Sequence, residues 1–410
     1  MRHKGPAAMS NGAAKNAMPA GAMLTLARVP ILNQRSDLLG YELRFPESTE
    51  AGLDELILFG INAFTLGERC FLRTPPEALV VGLVEALPAE KTVFAICERW
   101  GTDRAVYEAC KDLKSKGFQL AIVEPEGGPG AANLFPLANY IMVDLNQIRR
   151  SALEQIRQQL IDSKAILIAE NVDTRQRLQE ARNAGFQYFQ GFYFCEPEML
   201  QKAKLPGNKL LHAELLKQLR VQPLDLKKLA PLVKRDSALV YRLLKLVNSP
   251  MCAMRQEVTS VETAILVLGE DRFVKMAMMA VLGEMNAGQP SEVMHTALIR
   301  ARFCELGASL CQQDPEEQYM MGLMSLLPVM LQLPMSEVVQ GLGLHESIRQ
   351  ALLGDDLPER ALLAWIEAHE RNDVIRANAV ASSHGLLIQR LEQFYVDALM
   401  WEAMAASVFR

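Results

Sequence analysis

The stretch "GFQLAIVEPEGGPG", residues 117–130, carries the pattern that decides the fold of this 410-residue chain. Residues 118–123 are mostly apolar and predict a buried strand, which ends at a single carboxylate, Glu124. A loop rich in Pro and Gly follows directly. Carboxylates beside such loops are common at metal-dependent active sites, so the question is whether Glu124 belongs to a catalytic group.

The same alternation of strand and loop extends in both directions, from about residue 26 to residue 196. Eight short apolar runs are separated mostly by helical patterns, several of which end in Gly. The first two runs, "LARVPIL" and "LLGYELRF", are too close for a crossover helix, so they are expected to pair antiparallel. The others are typical of βα units. The sequence therefore predicts a TIM-like α/β barrel over residues 25–203, with function at the carboxyl ends of its strands.

After "KLPGN", residues 204–208, the pattern becomes entirely helical. The segment "ALVYRLLKLVNSP" places its apolar residues on one face and ends at Asn-Ser-Pro, which predicts an amphipathic helix over residues 236–248. An all-α second domain is therefore expected over residues 204–410. Residues 1–24 are rich in Ala, Gly, Asn and Met, and they predict a disordered tail.

Composition and charge exclude several classes of function. A net charge of −5 argues against general nucleic-acid binding, and no apolar run reaches the roughly 20 residues of a membrane span. The seven cysteines form no CxxC pair, and the six histidines are scattered. We therefore expect a reduced cytoplasmic setting, with no structural metal, no cofactor, and neither a nucleic acid nor a membrane as partner.

Acidic and amide side chains stand at the ends of most of the predicted strands. On a closed barrel these side chains would converge at one mouth, where they would bind a divalent cation or raise one another's pKa. The alternative is that each is a solvated residue at the end of its strand. The set is Glu42, Glu98, Glu124, Asp144, Glu170 and Gln190.

Six segments in order carry a family resemblance: "RVPIL…LLGYELRF", "TVFAICE", "LAIVEPEG", "YIMVDL", "AILIAENVDT" and "FQYFQGFYFCEP". With them, residues 26–200 resemble an EAL domain, the fold of cyclic di-GMP phosphodiesterases. The resemblance implies two metal ions, held by carboxylates and an amide, that activate a water for attack on a phosphodiester, with a lysine beside that water. It assigns ligand positions to Glu42, Glu124, Asp144, Glu170 and Gln190.

The chain departs from this family pattern at several of the functional positions. Ala95 stands for the first glutamate of the E-I-x-E strand, Val123 for the first aspartate of the Asp-Asp pair, and Met142 for the lysine. Pro46 replaces a phosphate-binding arginine, and the metal-binding asparagine falls at Arg73 or Thr74. The resemblance therefore predicts a degenerate site whose ligand positions are vestigial, and hence a protein that is not an enzyme.

The helical half resembles an HDOD domain, through the segments "LAPLVKRDSALVYRLLKLVNSP" and "VTSVETAILVLG". In the related HD enzymes a His-Asp pair binds the metal, and Ser325 and Leu326 stand at that place here. His295 matches a histidine position of the pattern, but one histidine cannot hold a metal ion. The order of the two domains resembles a bacterial EAL–HDOD signalling architecture.

These observations predict a non-catalytic signal-transduction or scaffold protein that acts through protein contacts. One alternative is a receptor that binds cyclic di-GMP, or another nucleotide, without turnover. Another is an active metal-dependent phosphodiesterase. The connection "NSPMCAMRQEVTS" places Met251, Met254 and Arg255 where packing does not demand them, which predicts a surface for a protein partner or for self-association.

Overall fold

A computed structural model describes residues 26–45, 56–58, 60–160, 163–197, 207–219, 226–254, 256–342 and 344–409. The predicted tail, Pro46 and Arg255 lie outside these residues. Among the described helices none is both long and apolar enough to pass through a bilayer. The predicted domain limits at 24 and 203 and the cytoplasmic setting stay predictions.

The first half is a closed barrel of eight strands that follow one another in chain order. The strand β1 pairs antiparallel with both of its neighbours, β2 and β8, and all the other pairs are parallel. This confirms the predicted fold class. The strands are β1 Ala27–Asn33, β2 Leu38–Arg44, β3 Arg69–Arg73, β4 Thr92–Cys97, β5 Gln119–Val123, β6 Tyr140–Asp144, β7 Ile166–Glu170 and β8 Tyr188–Gln190.

An apolar plug fills the inside of this barrel. Alternate residues of the strands point inward, so neighbouring strands contribute to the same layers. Ala95, Val123 and Met142 belong to this plug and are almost completely buried, together with Ile31, Phe71, Val93, Ala121, Tyr140 and Ile168. The side chains that replace the expected ligands and lysine therefore contribute packing to the barrel interior.

Helices surround the barrel between its strands. Two of the longer ones begin at capping side chains: Asp103 accepts from two backbone amides at the start of the helix Arg104–Ser115, and Thr174 accepts from one at the start of the helix Arg175–Asn183. The helices of this half are α1 Asn62–Thr65, α2 Pro76–Val81, α3 Arg104–Ser115, α4 Pro129–Leu134, α5 Arg150–Gln159 and α6 Arg175–Asn183.

The second half is helical throughout its described residues, as predicted. Its helices are α7 Gly207–Gln218, α8 Leu226–Val233, α9 Ser237–Val247, α10 Val261–Leu268, α11 Glu270–Met285, α12 Ser291–Gly307, α13 Pro315–Met324, α14 Leu327–Leu331, α15 Met335–Val338, α16 Glu346–Leu353, α17 Ala361–Glu370, α18 Val374–Ser383 and α19 Ile388–Phe409. The helix α12 is buried along most of its length, packs against α13 and α19, and forms the centre of this half.

The two halves share a buried polar interface beside the first hairpin of the barrel. Arg28 of β1 donates to Glu402 of α19 at 3.2 Å, and Glu402 also contacts the imidazole of His295 on α12. From β2, the hydroxyl of Tyr41 donates to Glu292 at 2.9 Å. These five residues are all buried, so their groups depend on one another for hydrogen bonds and charge compensation. We call them the joint cluster.

Candidate functional site

The carboxyl ends of the barrel strands open into a cavity of about 1120 Å³. The barrel wall of this cavity includes Arg44, Arg73, Glu124, Asp144 and Glu170. The opposite wall consists of residues from α17, α18 and the start of α19, so the second domain helps to enclose the mouth. The predicted site residues therefore lie at, or just below, one large cavity between the two halves.

Glu42 lies at the floor of the mouth, near the end of β2, and is fully buried. Its carboxylate accepts hydrogen bonds from Nε of Arg44 at 2.6 Å and from Nε of Arg73 at 2.8 Å. The side-chain amide of Gln190 donates to the same carboxylate. Burial works against the ionised form, but the two guanidinium groups outweigh it and lower the pKa of Glu42. This carboxylate is thus ionised and fully engaged by side chains.

Arg73 is the centre of the mouth. Besides Glu42, its guanidinium contacts the carboxylate of Glu170, and it lies 3.7 Å from Glu124. Its side chain is still 37 % exposed and faces the cavity. One positive group therefore links three of the predicted ligand positions. We call Glu42, Arg44, Arg73, Glu170 and Gln190 the mouth cluster.

Glu170 is the carboxylate of the mouth cluster that is easiest to protonate. Burial raises its pKa to about 7, with the nearby charge of Glu42 adding to the effect and the charge of Arg73 opposing it. Since Arg73 is shared between two buried carboxylates, it cannot fully compensate both. The mouth cluster therefore takes up a proton near neutral pH.

Asp144 and Glu124 occupy the rim of the mouth. Asp144 accepts from the side-chain amide of Asn171 at 2.9 Å, and Asn171 in turn accepts from Arg44 at 3.3 Å. Glu124 accepts from the thiol of Cys97 at 2.7 Å, and its side chain is 52 % exposed. The structure thus brings all five predicted site residues to the mouth, with Glu124 and Asp144 facing the cavity.

Glu98, the remaining residue of the six at strand ends, does not line the cavity. Its carboxylate accepts from the backbone amides of Glu126, Gly127 and Gly128 at 2.6–2.9 Å. A side chain at Gly130 would meet the carbonyl oxygen of Glu98, with the Cβ only 2.0 Å away. The glycines of the opening stretch therefore let the loop wrap around a buried carboxylate, which is a structural role.

The mouth as it stands does not fit the two cations that the resemblance implies. Three of its carboxylates surround the guanidinium of Arg73, and the plug supplies apolar side chains where further oxygen ligands are needed. Within the described residues no group of three or more His, Cys, Asp or Glu side chains is arranged to hold a metal ion. A divalent cation at this place would have to displace Arg73.

The helical half places its HD-like positions in packing roles. Ser325 accepts from Arg300 at 3.3 Å, and Arg300 forms a buried ion pair with Glu370 at 2.6 Å. Leu326 is buried, and His295 belongs to the joint cluster, where it contacts Glu402. Burial lowers the pKa of His295, whereas Glu402 raises it, and the net shift is upward.

The predicted interaction surface is only partly described. Met251 and Met254 are half-buried and pack against the core of the helical half, while Arg255 lies outside the described residues. The thiol of Cys252, between the two methionines, lies 3.6 Å from the sulfur of Met276. Part of each methionine side chain is therefore used in packing. The role of both residues in a partner surface stays a prediction.

Sequence reasoning missed the arginines and the second wall of the site. Arg73 was named only as a possible position of the lost asparagine, and Arg44 was not singled out, although an arginine beside a strand-end acid is a candidate ion pair. Trp365, His369 and Asn378 line the cavity from segments that carry no family motif. Only the packing of the two halves brings these residues to the mouth.

Comparisons with known proteins agree with this architecture. Residues 205–343 match the HDOD domain family. A Vibrio cholerae protein named cyclic di-GMP phosphodiesterase CdgJ is 27 % identical over 395 residues, which cover 92 % of this chain and 91 % of that protein. The uncharacterized protein YuxH of Bacillus subtilis is also 27 % identical, over 399 residues that cover 92 % of this chain and 97 % of that protein.

Among solved structures, a standalone EAL protein from Vibrio cholerae O395 in its cyclic di-GMP-bound form is 22 % identical, with a TM-score of 0.35. The alignment covers 43 % of this chain and 93 % of the EAL protein. The fold assignment rests on the strand topology described above.

One prediction from the sequence is wrong on these findings. We expected a protein that is not an enzyme, but a relative that aligns along most of the chain is named a phosphodiesterase. The family match and the closed barrel with its antiparallel first strand confirm the expected order of the two halves, a barrel followed by a helical domain. A closed barrel with an antiparallel first strand, followed by a helical half whose residues 205–343 match the HDOD family, fits the EAL–HDOD two-domain architecture.

Proposed function

We propose that this protein is a signal-transduction protein that receives cyclic di-GMP at the barrel mouth and acts through protein contacts of its helical half. The observation that carries the proposal is the cavity of about 1120 Å³ at the carboxyl ends of the strands. Ligand pockets measure about 300–1,000 Å³, so this cavity is large enough for a dinucleotide.

The chemistry of the barrel wall favours a guanine nucleotide. The cavity presents both guanidinium groups and carboxylates. Guanine carries acceptors at O6 and N7, which suit an arginine, and an amino group that donates to a carboxylate. The carboxylates of Glu124 and Asp144, which repel a bare phosphate, would thus contact the amino group of the base. The adjacent acceptors O6 and N7 favour guanine over adenine, because adenine has a donating amino group in the place of O6.

Arg149 is the strongest candidate for a phosphate contact. It occupies the N-cap position of α5 without a side-chain capping bond, lines the cavity and is exposed. It forms no ion pair or hydrogen bond with the described residues through its side chain, whereas Arg44 and Arg73 are committed to Glu42. The helix dipole adds positive potential at the same place.

The output would pass through the helical half. The joint cluster connects the first hairpin of the barrel to α12 and α19 with buried polar contacts. A conformational change of this hairpin at the mouth would therefore act directly on helices of the second domain. The surface around Met251, Met254 and Arg255 remains the proposed place of contact with a protein partner or a second copy.

Hydrolysis of cyclic di-GMP is the second candidate function. The name of the Vibrio cholerae relative favours it. The mouth does not fit a pair of cations while Arg73 occupies it, so hydrolysis would require Arg73 to move away from Glu42 and Glu170.

The test is a calorimetric titration of the full chain with cyclic di-GMP, with cyclic di-AMP as the base-specific control. We expect binding of the guanine dinucleotide alone, weakened about tenfold or more by Arg149→Glu and unchanged by Arg104→Glu, an exposed arginine away from the cavity. Chromatography of the nucleotide after incubation with Mg²⁺ or Mn²⁺ measures turnover in parallel. Failure to bind either nucleotide would overturn the proposal.

A further inference from the structure

The wall that the helical half adds to the cavity has the features of a built site. Trp365 on α17 lines the cavity and is only 1 % exposed. Its indole Nε1–H is buried and finds no acceptor among the described residues. A buried donor without a partner costs about 1–3 kcal/mol, so native proteins seldom retain one unless something else satisfies it.

His369, one turn along α17, adds an acceptor beside this donor. Its ring stacks on Trp365 with 4.7 Å between centroids, and its Nε2 donates to the carbonyl oxygen of Leu26 at 3.1 Å. Burial lowers the pKa of His369 to about 4, so the ring is neutral. A neutral imidazole that donates from Nε2 has an unprotonated Nδ1, which can only accept.

The N-terminal part of α18 completes this wall. Val374 and Asn378 lie one turn apart, both line the cavity, and both are exposed. The side-chain amide of Asn378 makes no hydrogen bond with the described residues and offers both a donor and an acceptor. The apolar side chain can pack against the face of a nucleobase. The free amide beside it can form hydrogen bonds with the edge of the base or with its ribose.

We infer that α17 and α18 form the second wall of the nucleotide site, so that one guanine nucleotide contacts the barrel through Arg149 and the rim carboxylates and the HDOD half through Trp365 and Asn378. This inference rests on the proposed function and names the part of the molecule that would sense the bound nucleotide. A ligand held by both walls would resist separation of the two halves, which couples occupancy to their relative position.

Steric substitutions on α18 test the inference with matched neighbours as controls. Asn378→Trp and Val374→Trp place a large side chain in the cavity, whereas Ala379→Trp and Ile375→Trp add the same side chain at exposed positions of the same helix that do not line it. All four changed positions are on an exposed surface, so folding should be preserved, and circular dichroism checks it. The affinity of the full chain for cyclic di-GMP is measured by calorimetry.

We expect the two cavity variants to bind cyclic di-GMP about tenfold or more weakly, and the two controls to bind like the unchanged protein. Trp365→Phe, which removes the unpartnered donor but keeps an aromatic ring, should also weaken binding severalfold. If the unchanged protein binds and both cavity variants bind equally well, the second wall is not part of the site and the inference is wrong, while the proposed function stands. If the unchanged protein does not bind, both are wrong.

Discussion

The mouth cluster and the joint cluster use the same hairpin in opposite ways. Tyr41 and Glu42 are neighbours on β2 and point to opposite faces, one toward the helical half and the other into the mouth. In the joint cluster the side chains of Arg28 and Glu402 are 3 % and 0 % exposed. In the mouth cluster Arg73 is 37 % exposed and borders a cavity.

This difference in exposure separates a fixed structural contact from a contact that can be exchanged. A buried ion pair is strongly destabilised when one partner is lost, because the other charge remains without compensation. A half-exposed guanidinium can be replaced by water, by a ligand or by a cation at lower cost. The joint cluster should therefore govern stability, whereas Arg73 in the mouth cluster should govern whether a cation can enter the mouth.

The largest effect is expected from Glu402→Gln, which breaks the joint cluster. Arg28 would lose its counter-charge inside the interface, and His295 would lose its carboxylate partner. We expect the free energy of unfolding to fall by about 3–5 kcal/mol, measured by urea denaturation with circular dichroism. The control is Glu108→Gln, which breaks an exposed pair with Lys111 and should cost under about 0.5 kcal/mol. A loss of less than about 1 kcal/mol for Glu402→Gln would contradict the account.

A smaller effect on stability, but a change in chemistry, is expected from Arg73→Asn. The variant would leave Glu42, Glu124 and Glu170 around an amide oxygen, which is an oxygen-rich set suited to a hard divalent cation. We expect a loss of about 1–2 kcal/mol without metal, since Arg73 is partly exposed.

Millimolar Mn²⁺ should recover about 1–3 kcal/mol of stability in the variant and leave the Tm of the unchanged protein where it was. Arg104→Asn serves as the control for nonspecific effects of the ion. An equal Mn²⁺ response in the unchanged protein and in Arg73→Asn would show that Arg73 does not stand in the place of a cation.

The third effect depends on pH and concerns Glu170→Gln. The folded-state pKa of Glu170 is raised to about 7 from a reference of 4.5, so the folded protein retains a proton that the unfolded chain releases. Stability therefore falls as pH rises from about 4.5 to 7, and the loss persists above pH 7. Gln lacks this proton equilibrium and keeps an oxygen acceptor for Arg73.

We expect Glu170→Gln to match the unchanged protein near pH 4.5 and to be more stable by an amount on the order of 1 kcal/mol at pH 8. Thermal melts across this pH range measure the difference, with Glu108→Gln as a control. If the variant is instead less stable at pH 8, the ion pair between Glu170 and Arg73 outweighs burial.

The sequence was sufficient for the barrel, because strand periodicity, helix ends and the short first connection are local signals. It was also sufficient to place Glu42, Glu124, Asp144, Glu170 and Gln190 at one mouth, because parallel strands bring their carboxyl ends together. The role of Glu98 was not predicted, since it depends on a loop path that brings three backbone amides to one carboxylate.

Long-range contacts account for the rest of what was missed. Arg28 and Glu402 are separated by 374 positions, and the segment "RVPIL" that begins at Arg28 carries no signal of a partner near residue 402. The second wall of the cavity likewise depends on how α17 and α18 dock against the barrel. The prediction that the protein is not an enzyme relied on the loss of family residues, among them metal ligands and the lysine replaced by Met142, and the named relative overturned it.

The most direct test of the account is a calorimetric titration of the full chain with cyclic di-GMP in EDTA, repeated with Mn²⁺ in place of the chelator. Because Arg73 already supplies the positive charge at the centre of the mouth, the account predicts binding in both buffers, with Kd values that agree within about threefold. Binding that requires Mn²⁺, or no binding in either buffer, would contradict it.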